Sequence, residues 1–253
     1  MILKFNKNNE NKGTGLARPV TVNLTSDVFL NDVPQKIDHA AEPIKDINNI
    51  IKIQEYLVST GRYRDNLLFT MGINIGLRCG DLLEIKVGNL VNSDGTGFLD
   101  KTVVREQKTQ KLRTIYWNDA VYDAAELYFD HIGECSLNDY LFRCEGNRGK
   151  NSGKPMNVSS VERILKEVIN DKLHLDIRAS THCLRKTFAY HMICSAPDRS
   201  RAIEFLQKIL GHSRPSITLR YAGITDDEIE TAYKQLNLGS RNPFGWEHVT
   251  RVS

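Results

Sequence analysis

Six side chains in this sequence are chemically suited to one another: Arg78, Lys108, His182, Arg185, His212 and Tyr221. Two arginines can grip the non-bridging oxygens of a phosphodiester through bidentate hydrogen bonds. They also offset the charge that grows on those oxygens in a transition state. A tyrosine hydroxyl can attack the phosphorus and keep the bond energy in a phosphotyrosine ester. A lysine can protonate the departing oxygen, and a histidine can handle the nucleophile's proton. No pair of carboxylates accompanies the set. Side-chain cations suffice for this chemistry, so it requires neither a metal nor a cofactor.

Each of the six also has a plain structural reading. Arg78 closes a predicted helix, where the helix dipole favours a cation. His182 and Arg185 are three apart and share one helix face. His212 follows Gly211 in a common helix-end setting, Tyr221 fits a core aromatic, and Lys108 fits a turn. Cys183 beside His182 suggests a nucleophile and base, but adjacent residues diverge on a helix. The five cysteines, Cys79, Cys135, Cys144, Cys183 and Cys194, form no C-x-x-C pair and are odd in number. That speaks against a disulfide framework or a cysteine-rich zinc site, and for reduced thiols in a cytoplasmic protein.

The elements that must position these groups are mostly helical. Residues 1–42 are rich in polar residues and read as an arm with little order. Ile44, Ile47, Ile51 and Leu57 recur at helical spacing, with Gly61 as a stop. A second helix runs from Tyr63 to Leu77 with Leu67, Leu68, Met71 and Ile75 inward. Gly80 ends it, and Asp81 caps a short helix to Ile85. The period then changes. Thr102–Glu106 and Arg113–Trp117 are β-prone and flank residues 107–112, which predicts a hairpin with a basic tip. A helix follows over 119–132, whose apolar positions include Val121, Ala125, Leu127 and Tyr128. Residues 140–142 are extended, and 147–154 form a loop rich in Gly, Asn and Lys. Ser159 or Ser160 caps a helix to about Ile169. Further helices cover about 182–193 and 201–210, and Pro215 starts a short one that carries Tyr221. Thr225 with Glu228 makes a capping box for a last helix over 225–238, and 241–253 reads as a tail. The fold class is therefore mainly α with a small antiparallel β-sheet. No βαβ repetition and no G-x-G-x-x-G loop supports a nucleotide-binding fold.

Net charge is only +3, but its distribution is uneven. Lys101, Arg105, Lys108, Lys111 and Arg113 fall in one stretch with a single Glu, and Arg143, Arg148, Lys150 and Lys154 in another. Such stretches suit a polyanion as well as a solvated loop. No apolar run approaches the about 18 residues of a membrane span.

Together the motifs resemble the catalytic domain of the tyrosine recombinases of the phage-integrase type. Gly76-Leu-Arg-Cys-Gly-Asp-Leu82 resembles the family's first arginine motif. The resemblance makes Arg78 the first catalytic arginine and Asp81 its supporting acid. Gln107–Arg113 resembles the lysine hairpin, with Lys108 as its lysine and Lys111 as the second choice. Thr181–Ala189 carries an H-x-x-R box at His182 and Arg185. Leu210-Gly-His212 matches the L-G-H box, and Tyr221 follows nine residues later as the nucleophile.

The resemblance implies cleavage and rejoining of double-stranded DNA through a 3′-phosphotyrosyl link, in a tetramer that exchanges the helix 225–238. Arg78, Arg185 and His212 would hold the phosphate, Lys108 would protonate the 5′-oxygen, and His182 would assist at Tyr221. Lys101, Arg105, Lys111, Arg113, Arg148 and Arg214 are candidates for DNA contacts. The catalytic domain is expected over 43–240. Family members usually carry a helical core-binding domain ahead of it, and residues 1–42 are too few for one. That keeps one alternative open, a DNA-binding regulator or recombination-deficient remnant, and the nearly identical catalytic set of the type IB topoisomerases keeps open a second, an enzyme that relaxes DNA.

Overall fold

The computed structural model describes residues 41–144 and 153–223. Most of the expected arm, Arg148, the helix 225–238 and the tail lie outside the described residues. Eight helices and one two-stranded antiparallel sheet make up the described regular structure, besides short 3-10 and π turns. The sequence-based expectation of a mainly α fold with a small sheet holds.

The helix α1 (Ile47–Ser59) is capped by Asp46, whose carboxylate accepts the Asn48 N–H at 2.9 Å. A cap of this kind is worth about 1 kcal/mol. The inward stripe differs from expectation. Ile47 and Ile51 are exposed, while Ile53 and Leu57 are buried. Ile44 is buried too, but ahead of the helix: its N–H donates to Thr187 Oγ1 at 2.8 Å, and its carbonyl lies 2.9 Å from His191 Nε2. Ile44 thus meets the core from the extended lead-in, and the helix itself, from Ile47, turns Ile53 and Leu57 inward.

The centre of the fold is α2 (Tyr63–Ile75), which packs on α1, on α4 (Asp119–Ile132) and on α6 (Thr181–Cys194). Leu67, Leu68, Met71 and Ile75 are all buried, as the spacing predicts. Gly72 lies against Leu184 of α6, so closely that a Cβ would come within 2.6 Å of it. On α4 the buried residues are Val121, Ala124, Ala125 and Tyr128, a single stripe at i, i+3, i+4 and i+7. Leu127, apolar as well, lies on the outer side and is exposed.

The hairpin pairs β1 (Lys101–Arg105) with β2 (Leu112–Tyr116), Val103 opposite Thr114. Its outer face carries Lys101, Val103, Arg105, Leu112 and Tyr116, and Ile115 is buried on the inner face. The tip closes with Gln110 in the left-handed region, its N–H on the Glu106 carbonyl at 2.8 Å.

The helix α5 (Val158–Lys166) is capped by Asn157, not by Ser159 or Ser160. Asn157 Oδ1 accepts the Ser160 N–H at 2.7 Å, which puts both serines inside the first turn. A π turn over Glu167–Lys172 extends it. Beyond α6, α7 (Arg199–Leu210) and α8 (Pro215–Ala222) close a smaller core of Phe188, Ala189, Ile193, Leu206, Leu210 and Ala222. No helix among the described residues is long and apolar enough to cross a membrane.

Candidate functional site

Two helix ends build the site. Gly76 terminates α2 in the left-handed conformation at φ 58°, and a Cβ there would run into the Phe188 ring. The helix therefore stops four residues before Gly80, the expected stop. Arg78 does not end a helix. It occupies the extended N-cap position of α3 (Cys79–Leu83), with Asp81 in that helix's first turn. Asp81 is buried and caps nothing. Its Oδ1 accepts the Gln107 N–H at 2.8 Å, and its Oδ2 lies 3.9 Å from Arg78 Nη1. The second end belongs to α7, which Gly211 terminates at φ 73°. The last carbonyls of a helix have no partner within it. Leu210 supplies one, and Arg185 Nη2 donates to it at 3.2 Å.

Arg185 is the buried centre of the site, 5% exposed, with its Nη1 buried and unpartnered. Burial lowers its pKa, Tyr221 raises it and the Arg78 charge lowers it further. Tyr221, on α8, is half-buried. Burial pushes its phenol up, and the cations Arg185 and Arg78 pull against that without cancelling it. The hydroxyl is therefore protonated at neutral pH, and a nucleophilic role requires a proton acceptor. The His212 ring stands edge-on to Tyr221, centroids 5.2 Å apart. Its Nδ1 lies 3.1 Å from the hydroxyl of Thr218, which is fully buried one turn before Tyr221. Burial and then Arg185 and Arg78 hold the imidazole pKa down, which favours the neutral ring.

Arg78, Asp81, Arg185, His212 and Tyr221 thus come together. Lys108 stands exposed at the hairpin tip, joined to the cluster through its neighbours Glu106 and Gln107. His182 is exposed in the first turn of α6, its N–H on the Ser180 hydroxyl at 3.3 Å. Cys183 is fully buried with its thiol pushed up to about 12, which removes it as a thiolate nucleophile. Lys101, Arg105 and Lys111 are exposed. Arg105 also donates to the Gln110 carbonyl at 2.9 Å, bracing the tip. Arg214 is exposed at the N-cap position of α8. Arg113 turns inward instead. It donates to the carbonyls of Ile75 and Gly76 and lies 3.7 Å from Glu106. Burial there lowers its pKa to about 10, and the guanidinium stays charged.

Three contributors escape a reading of the sequence by charge. Glu106 is 6% exposed and accepts from Arg78 Nη1 at 2.9 Å and from the Thr109 hydroxyl at 2.8 Å. Strand alternation was a usable signal, since Thr102, Val104 and Glu106 fall on one face. Thr218 and Lys186, whose ammonium lies 5.7 Å from the Tyr221 ring, carried no such signal. Among the described residues no group of His, Cys, Asp and Glu is arranged to hold a metal ion.

The phage integrase family matches residues 43–228, which span every group of this cluster. The chain belongs to that family. A probable integrase/recombinase of Bacillus subtilis, YoeC, is 35% identical over 78% of this chain and 97% of its own length. The tyrosine recombinase XerA of Pyrococcus furiosus is 30% identical over 72% of this chain but only 58% of its own. A XerA crystal structure superposes with a TM-score of 0.58 at 23% identity, over 78% of this integrase-family chain and 66% of that one. At that identity the likeness concerns the fold. The chain therefore spans almost all of YoeC and little more than half of XerA.

Proposed function

We propose that this integrase-family chain cleaves and rejoins double-stranded DNA through a 3′-phosphotyrosyl link at Tyr221. The observation that carries the reading is Arg185. It is a buried guanidinium with one nitrogen unpartnered, and it interacts electrostatically with both Tyr221 and Arg78. A buried donor without an acceptor costs about 1–3 kcal/mol, and a phosphate oxygen would remove that cost. Arg78 and Arg185 hold the two non-bridging oxygens and His212 supports them. The Tyr221 oxygen bonds to phosphorus as the bond to the 5′-oxygen breaks. The phenolic proton passes to a histidine, His182 or His212, and Lys108 supplies the proton that the 5′-oxygen takes up. A 5′-hydroxyl from the partner strand reverses these transfers. No metal or cofactor enters the sequence of steps. The assembly is a tetramer on DNA exchanging the segment 225–238, which lies outside the described residues.

The test is trapping with duplexes tiled across the DNA that flanks the gene, each nicked near the scissile position so that the freed fragment diffuses away. The wild-type chain is expected to form an SDS-stable adduct, and Tyr221→Phe none. An adduct of equal yield from Tyr221→Phe would remove Tyr221 as the nucleophile.

A further inference from the structure

The motif residues leave one buried ionisable group of the site unexplained. Glu106 sits two residues before Lys108 and receives hydrogen bonds from both sides of the junction between hairpin and helix. Arg78 Nη1 donates from one side at 2.9 Å, and the Thr109 hydroxyl from the other at 2.8 Å. Arg113 approaches to 3.7 Å. Its companion Asp81 binds the very next backbone N–H, that of Gln107, at 2.8 Å. Two buried carboxylates thus clip the hairpin tip to α3, one through a backbone amide and one through a catalytic arginine.

Charge makes the second clip specific. Arg78, Arg113 and Arg185 crowd together: on top of burial, the charges of Arg185 and Arg78 lower the pKa of Arg113, and that of Arg78 lowers the pKa of Arg185. Three guanidiniums in one partly buried site repel one another strongly. Asp81 and Glu106 offset two of the three charges, and only Glu106 lies within hydrogen-bond range of Arg78. Glu106 uses a single nitrogen of Arg78, so the rest of the fork remains for a ligand.

We propose that Glu106 is the positioning residue for Arg78. It fixes one edge of the guanidinium so that the other edge faces the scissile phosphate, and it ties the tip bearing Lys108 to the same point. Its weight in the reaction rests on the function proposed above. Glu106 touches no substrate atom, so it governs the cleavage step more than DNA affinity.

Glu106→Gln keeps the shape and removes the charge. On 5′-bridging phosphorothiolate duplexes, its adduct is expected to form at least tenfold more slowly than the wild-type adduct. DNA affinity should be unchanged or higher, because the site gains net positive charge. Side-chain 15N NMR of Arg78 supplies a readout independent of activity. The slowly exchanging guanidinium signal of the wild type should broaden or vanish in Glu106→Gln. Should that variant fail to fold, Glu106→Asp keeps the charge and shortens the reach, and at least a fivefold slower adduct at wild-type affinity is expected. Wild-type adduct rates in whichever variant folds would overturn the proposal. So would an Arg78 signal that does not respond. A wild-type chain that forms no adduct on any duplex would instead overturn the proposed function, while the Arg78 signal would still decide whether Glu106 holds it.

Discussion

Lys108 is the residue whose role depends least on burial and most on reach. It lies on an exposed tip, yet its neighbours Gln107 and Thr109 are tied to Asp81 and Glu106. A general acid contributes about 10²–10⁴-fold, and its contribution disappears when the leaving group needs no proton. Lys108→Ala should therefore slow adduct formation by about a hundredfold or more on ordinary DNA. A thiol ionises far more readily than an alcohol, so a 5′-bridging phosphorothiolate should restore most of the rate. Lys111→Ala should leave both rates near wild type. Equal losses on the two substrates would show that Lys108 binds or orients and does not donate the proton. At this scale the grouping of Arg78, Asp81, Arg185, His212 and Tyr221 was legible from type and order, because phosphodiester chemistry restricts which side chains can serve. Glu106 was not, since one acid inside a basic stretch looks like an accident of composition. Arg113 turns inward, which its charge did not signal. Charge suggested DNA, whereas the alternation that places it on the face of buried Ile115 turns it into the fold.

Elements hold this site by their ends. Arg113 meets the terminal carbonyls of α2, and Arg185 the terminal carbonyl of α7. A cation at a helix C-terminus is favoured by the dipole as well as by the orphan carbonyls. Both helices end in a left-handed glycine, Gly76 and Gly211. Gly76 carries a second constraint, because any Cβ would run into Phe188. A residue other than glycine in that conformation costs about 1–2 kcal/mol, and overpacking adds about 1–3 kcal/mol. Urea denaturation should show Gly76→Ala destabilised by about 2–5 kcal/mol. Gly95→Ala is the control, with φ 74° and open space around it, and should lose only about 1–2 kcal/mol. Similar losses for both would mean that the Phe188 contact is soft. Helix existence was legible here from apolar spacing, and boundaries were less so. Gly76 and Gly80 are equally good stops by residue type, and only the position of α6 decides between them. In the same way Asn157 and Ser159 are both good caps, and the packing of α5 selects the first.

For the whole molecule the question is which cations meet a polyanion and which maintain the fold. The net charge of +3 is too small to answer it, but the hairpin separates the two kinds of cation by face. Lys101 and Lys111 are exposed, while the Arg113 side chain is 15% exposed and engaged with carbonyls and Glu106. Each phosphate contact adds about 0.9 to the slope of log affinity against log salt. Lys101→Ala with Lys111→Ala should therefore lower that slope by about 2, at an unchanged denaturation midpoint. Arg113→Ala should behave in the opposite way. It removes the donor from two helix-end carbonyls and one partner from a buried carboxylate, a loss of about 3 kcal/mol or more in stability. Its effect on the salt slope, measured below the unfolding transition, should be close to zero. DNA titrations from 50 to 300 mM salt, paired with urea melts of the same samples, separate these outcomes. A drop of about one in slope for Arg113→Ala without loss of stability would place that arginine on DNA and reverse the division between the two faces of the hairpin.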